Sequence, residues 1–434
     1  MRKIKEILLE NPTDFKRKLL SWAQQFDELV CLDSNPEFNK VNQLYSSFDF
    51  ILAAEALTAI KTDFQNAFDK LEEYKNSSND WIFGYLTYDL KNDVEDLTST
   101  NPDYILFPDL YFFQPKKLFF INENKLQMHY LLFVADEMEE DFNSILNVQT
   151  PSESVKNNQP KIKARISKET YFEKVKQMLH HIQIGNIYEA NFCQEFFAED
   201  VRINPLQTFE KLNDISSPPF AAFVKLEDHF LLSASPERYL KKEGTTIISQ
   251  PIKGTARRSQ KKEEDLKLAI ALQTDEKERS ENIMITDLVR NDLSRTATRG
   301  SVRVEELCGL YSFKQVHQLI TTVVSEVAKT TSIVDVLKTT FPMGSMTGAP
   351  KVSAMKIIEE LEETKRGLYS GSVGYISPQG NADFNVVIRS ILYNRQNNYI
   401  SFSVGSAITT KSNPENEYEE CLLKAKAIME VLNK

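Results

Sequence analysis

The sequence predicts an α/β fold of the α+β kind, with large antiparallel sheets flanked by helices. Three observations carry this. Segments 371–377, 384–394 and 399–407 alternate apolar and polar residues and follow one another through turns, which is the pattern of antiparallel strands and not of a doubly wound parallel sheet. The aromatic, β-branched runs 81–90 and 104–136 read the same way. Helical periodicities lie between them, clearest over 351–361, where Ala354, Ile357, Ile358 and Leu361 share one face.

In chain order, residues 12–28 read as a helix, with Asn11 and Pro12 starting it and LLSWAQQF supplying its apolar face. A short strand follows at 29–33, then a strand at 48–57 that breaks near Ala54, and a helix at 62–76. The run 104–136 divides into three or four strands, with Asn122–Asn124 as a turn. Ser167 caps a helix over 167–184, which Gly185 ends. Strands follow at 187–197, 219–226 and 230–234, then helices near 262–276 and 278–291 and a strand from Val302. Short elements at 314–322 and 333–338 come before the 351–361 helix, and 416–433 is the last helix. The polar stretch 149–163, with two prolines, is the best linker. It divides an N-terminal part, residues 1–150, from a second part, residues 164–434.

At 434 residues the chain is long enough for one large core or two to three ordinary ones. A hydrophobic content of 41% with 26% charged residues is that of a soluble protein, and a formal charge of −10 argues against a nucleic-acid surface. Cys31, Cys193, Cys308 and Cys421 show neither CxxC nor Cys/His ligand spacing, so they read as reduced thiols of a cytoplasmic protein. No apolar run approaches the ~18–20 residues of a membrane span, and the N-terminus lacks the apolar core of a secretory signal.

The densest chemistry lies at 235–292. Pro251 and Gly254 frame a tight, non-helical segment that holds Lys253. Glu237 comes sixteen residues earlier, across an expected hairpin of LLSAS and TTIISQ. Glu278 and Glu281 fall three apart on one helix face, whose apolar stripe is expected to be Ile283, Met284, Leu288 and Val289. Glu417 and Glu420 repeat the spacing on the last helix. Taken alone, these are a surface lysine and two solvated helix starts. If the two helix faces meet, four carboxylates converge, and such an all-oxygen set suits Mg²⁺. Gly344–Pro350 has the wrong spacing for a Walker A loop, but its N–H groups and Thr347 are placed to hold an anion.

The strings SPERY (235–239), PIKGT (251–255), ENIMITDLVRNDL (281–293), FPMGSMTGAPKVSAM (341–355), DFNVVIRS (383–390) and ENEYEECLLKAKA (415–427) occur in this order. Together they resemble the chorismate-utilising enzymes: the component I subunits of anthranilate and aminodeoxychorismate synthases, and the isochorismate and salicylate synthases. The resemblance is strong from about residue 165 onward and weaker before it. It implies one α/β body, a sandwich of antiparallel sheets with helices around it, in which both parts of the chain share sheets.

The resemblance also implies roles. PIKGT resembles the aminodeoxychorismate branch, where the anthranilate branch has alanine in place of Lys253. The implied reaction is attack of Lys253 on ring C2 with loss of the C4 hydroxyl, addition of ammonia at C4, and departure of the lysine. The product is 4-amino-4-deoxychorismate, on the way to 4-aminobenzoate and folate. Glu237 is the candidate acid for the departing hydroxyl and the candidate base that later takes a proton from ammonia, with Thr255 a hydrogen-bond donor near the lysine. Glu281 and Glu420 are the implied Mg²⁺ ligands, with Glu278 and Glu417 behind them. Tyr369, Arg389, Thr347, Gly405, Ser406, Lys424 and Gln318 are expected to bind substrate. Where hydroxylating relatives resemble a pattern with a lysine base, IYEANF has Glu189. Two positions depart from the family: Gln318 stands where a histidine is common, with His317 expected to face away, and Ala407 stands where a glycine is common. No glutaminase nucleophile elbow is present, so a separate glutamine amidotransferase is the expected ammonia source and a separate lyase the expected next enzyme. The alternatives are anthranilate synthase component I, a hydroxylating isochorismate-type enzyme and a non-catalytic binding protein.

Overall fold

The computed structural model describes residues 1–36, 45–149 and 160–433, so most of the expected linker lies outside the described residues. Among the described residues, twenty strands join in one hydrogen-bonded network, and the pairings are antiparallel. Strands from both sides of the linker pair directly. Glu28–Asp33 lies between Phe50–Thr62 and Phe220–Leu226, and Ile82–Leu86 pairs with Ser372–Ile376. Helices cover the sheets, so this is the α/β architecture of large antiparallel sheets flanked by helices.

Alternation of side chains along the strands creates two cores. In Glu28–Asp33, Leu29 and Cys31 enter one core while Val30 enters the other. Phe50, Leu52 and Ala54 go with the first, Ile51 and Ala53 with the second. The first core is closed by helices Pro12–Trp22, Lys168–Gln183, Lys351–Leu361 and Pro414–Leu432; the second packs against Glu276–Ser294 and Ile333–Thr340. The expected caps form: Asn11 accepts from the Asp14 N–H, and Ser167 accepts from the Thr170 N–H. All four cysteines are free and buried.

Several elements differ from expectation. The run 104–136 forms two long strands, Leu110–Asn122 and Lys125–Leu131, joined at Glu123 with φ of 50°. The strand Phe50–Thr62 does not break at Ala54; Glu55, at φ 63°, and a register shift between Ala56 and Thr58 absorb the irregularity as a bulge. LLSAS and TTIISQ do not form a hairpin. His229–Ser235 pairs with Phe220–Leu226 and Ser390–Asn394, whereas Thr246–Gln250 pairs with Arg238–Glu243 and Val316–Glu326. The intervening strand RYLKKE supplies the nearer partner. The expected strand 384–394 is interrupted between Asn385 and Ser390, where Arg389 takes φ of 54°.

The helix Glu276–Ser294 also turns differently. It buries Ile285, Val289 and Leu293 with Glu281, Asn282, Thr286 and Asp292, and leaves Ile283 exposed. Its buried face is largely polar because it lies against the strand carrying Lys253.

Candidate active site

The strand Ile252–Arg257 runs antiparallel to Val316–Glu326, with Ile252 opposite Ile320 and Thr255 opposite Gln318. Between them the register shifts, and Gly254 adopts φ of +90°. A Cβ there would sit 3.2 Å from Leu319 and 3.3 Å from Glu278, so glycine lets the strand approach the helix Glu276–Ser294 closely. Asn282 on that helix locks the contact by donating to the Lys253 carbonyl (3.3 Å) and the Leu319 carbonyl (3.1 Å). The Lys253 side chain, 11% exposed, turns inward and its Nζ donates to Glu189 Oε1 at 2.8 Å.

Glu189 opens the strand Glu189–Ala198 and is 1% exposed. The turn after Gly344 reaches it because Gly348 has no side chain: a Cβ would lie 2.2 Å from the Glu189 carbonyl. Burial alone pushes the Lys253 ammonium down, but Glu189, Glu281 and Glu237 outweigh that and hold it above the ordinary lysine value. The lysine of this arrangement is therefore a cation paired with Glu189, not the free amine a nucleophile requires.

Lys253 lines a cavity of about 500 Å³ together with Glu237, Thr255, Glu278, Glu281, Gln318, Tyr369, Arg389, Gly405, Glu417, Glu420 and Lys424. The volume suits a small organic ligand. Glu237, 3% exposed, is pushed up to about 7 by burial. It makes no ion pair with Arg238, whose guanidinium pairs with Asp383 at 2.9 Å. Among the described residues the Arg389 guanidinium has no hydrogen-bond or ion-pair partner, although its backbone holds a left-handed conformation rare for arginine. Gln318 Oε1 is likewise buried without a partner. His317 points the other way, between Ser312 Oγ (2.7 Å) and Asp265 Oδ1 (3.0 Å).

The starts of helices Glu276–Ser294 and Pro414–Leu432 bring Glu278, Glu281, Glu417 and Glu420 to this one cavity. Lys277 bridges Glu281 and Glu417, 3.7 Å from each, and Lys424 pairs with Glu420 at 2.6 Å while donating to the Gly405 carbonyl. Burial raises Glu281 to about 7, with Glu189 and Glu278 adding to the effect against Lys253. Among the described residues Glu281 Oε1 has no hydrogen-bond partner. An all-carboxylate set with an orphaned buried oxygen has the chemistry of a hard divalent cation site. Among the described residues, however, no three His, Cys, Asp or Glu side chains are grouped closely enough to hold a metal ion in this arrangement.

Two expected substrate contacts do not face the cavity. Thr347 is fully buried, and its hydroxyl donates to the Gly344 carbonyl at 3.2 Å because the backbone folds back on itself there. The turn contributes Ser345 and Met346 to the wall instead. Ser406, on a sheet face covered by the last helix, donates to Glu417 Oε2 at 2.7 Å. Two neighbours of the site, Lys277 and Asn282, and the contact between Glu189 and Lys253 lie beyond the sequence reading. Lys277 was discoverable from its i,i+4 spacing to Glu281; Asn282 and the Glu189–Lys253 pair depend on contacts between distant strands.

Residues 13–430 match the family of chorismate binding enzymes, and the chain belongs to that family. It is 33% identical to anthranilate synthase component 1 of Thermus thermophilus over 358 residues, covering 81% of this chain and 77% of the relative. It is 40% identical to aminodeoxychorismate synthase component 1 of Escherichia coli over 271 residues, covering 62% and 59%. The crystal structure of anthranilate synthase component I from Streptococcus pneumoniae superposes with a TM-score of 0.79 at 26% identity, covering 87% of this chain and 91% of that one. The protein is thus a chorismate-utilising enzyme of this superfamily. Among the described residues no helix is long and apolar enough to cross a membrane.

Proposed function

We propose that the chain aminates chorismate at C4, as an aminodeoxychorismate synthase component I, with ammonia supplied by a separate glutamine amidotransferase chain. The observation that carries this reading is Lys253: a lysine with only 11% of its side chain exposed, on the wall of the cavity that Glu237 also lines. Chorismate is a dianion. Arg389, unpartnered among the described residues, suits one carboxylate, with the Tyr369 hydroxyl beside it. Mg²⁺ held by Glu281 and Glu420, with Glu278 and Glu417 behind them, would neutralise and fix the other.

Lys253 forms the bond to C2 while the C4 hydroxyl departs. Glu237, raised to about 7, is part protonated at neutral pH and gives that hydroxyl its proton. Ammonia then bonds to C4 and returns a proton to the Glu237 carboxylate, and the C2–lysine bond breaks with its electron pair going to nitrogen. Gln318 orients without moving a proton.

A second reading, anthranilate synthase component I, has its own support. Relatives bearing that name match more of this chain, 81% against 62%, and a solved component I superposes over 87% of it. By similarity alone it stands at least as well; Lys253 is what favours amination without aromatisation. Purified protein with chorismate, Mg²⁺ and ammonium, analysed by mass spectrometry, separates them. The account expects 4-amino-4-deoxychorismate, converted to 4-aminobenzoate only when a lyase is added. Fluorescent anthranilate as the main product would transfer the assignment to the second reading.

A further inference from the structure

Lys253 must lose a proton before it can attack, yet its surroundings favour the ammonium. Outward, the cavity wall carries Glu237, Glu281 and Glu420, with Lys277 and Lys424 among the acids, and the charge of Glu281 and Glu420 would be taken up by the proposed cation. Inward, Nζ meets Glu189 alone. Glu189 does not line the cavity; it sits beneath the lysine, and its Oε2 has no partner. If Lys253 released its proton to water, this carboxylate would be left as an uncompensated buried charge, at a cost of several kcal/mol.

We infer that Glu189 is the base that deprotonates Lys253, an inference that rests on the amination reading and adds a catalytic residue to it. The Nζ–H bond breaks, its electron pair stays on nitrogen, and the proton moves 2.8 Å along the existing hydrogen bond to Oε1. The ion pair becomes a neutral amine beside a neutral carboxylic acid, with no net change in buried charge. When the C2–nitrogen bond later breaks, the same proton returns to the lysine. The residue that removes the water-activating lysine of hydroxylating relatives thus serves the amine.

Glu189→Gln keeps the shape of the side chain and removes its basicity. Each kcat is measured with saturating chorismate and ammonium from pH 5 to 8.5 and expressed as the ratio of wild type to variant, so that the titration of ammonia cancels. Transfer within the pair makes the wild-type step independent of solvent protons, whereas the variant must release its proton to water. The ratio therefore climbs about tenfold per pH unit on the acid side and levels off in alkali, with KM for chorismate nearly unchanged. A purely structural or charge-holding role gives a ratio that does not vary with pH, and that result overturns the inference. Glu189→Asp, which retains a carboxylate, keeps the wild-type profile at reduced rate and decides the matter should the glutamine variant fail to fold; a new acid limb in the aspartate variant would refute it. Lys253→Ala separates the two layers: wild-type rates there remove the amination reading itself, whereas an inactive Lys253→Ala beside a pH-independent Glu189→Gln ratio removes only the role of Glu189.

Discussion

The two ends of the cavity are built on different terms. At one end, Glu189 and Lys253 are carried by strands and in contact, and Glu237 sits buried in the short connection before Arg238–Glu243, close enough to act on the lysine's charge. At the other, four glutamates project from the first two turns of two helices, with Lys277 and Lys424 threaded among them and no cage assembled among the described residues. Glu189 is held by its pairing with Ala349, and Lys253 lies in the irregularity between the paired Ile252 and Thr255, where Asn282 holds its carbonyl; Gly254 and Gly348 permit the close approaches. Among the helix-borne groups, Glu417 accepts from Ser406 and Glu420 pairs with Lys424, while Lys277 stands 3.7 Å from Glu281 and from Glu417. The lysine end is thus already assembled, whereas the acidic end is held by lysines and a serine.

That contrast is sharpened by substitutions at each end. Lys253→Ala should have the largest effect, lowering C4 amination by about 10³-fold, in the range of losing one proton-transfer or nucleophilic group; product formation followed by mass spectrometry measures it. Glu237→Gln tests burial at the same end. Its carboxyl is raised from 4.5 to about 7 in the folded protein, so its contribution to stability is full below pH 4.5 and is lost as pH rises through about 7. Wild type should lose roughly 3 kcal/mol from this group across that interval, and the variant should not; urea melts at pH 4.5 and 8 make the comparison.

Gly254→Ala places a side chain where φ is +90° and two neighbours stand within 3.3 Å, costing about 2 kcal/mol and lowering Tm. A variant as stable as wild type would show that the lysine strand is not tightly placed. At the acidic end, Mg²⁺ at tenfold excess over its Kd should stabilise the fold by about 1.4 kcal/mol, and Glu281→Gln should abolish that shift. A metal-independent melt with retained activity would sever the two ends from one another.

The sequence exposed much of this, unevenly. Helices with local signals, such as Pro12–Trp22 and Lys168–Gln183 with their capping residues, were readable because caps and periodicity are short-range. So was the gathering of Lys253, Glu237, Arg389 and the paired glutamates, which ordered motifs announced. Pairing was not: TTIISQ selects Arg238–Glu243 and Val316–Glu326 by register, which no single segment encodes. Orientation was not either. Thr347 and Ser406 sit within recognisable motifs yet spend their hydroxyls on Gly344 and Glu417. Nor does spacing reveal that Glu189, 64 positions from Lys253, lies beneath it.

The most direct measurement is the intact mass of the protein mixed with chorismate and Mg²⁺ in the absence of ammonia. The account predicts an adduct of chorismate less one water, mapped to the peptide bearing Lys253, which disappears on adding ammonium as 4-amino-4-deoxychorismate is released. Turnover with ammonium but no adduct at Lys253, or the same adduct in Lys253→Ala, would contradict it.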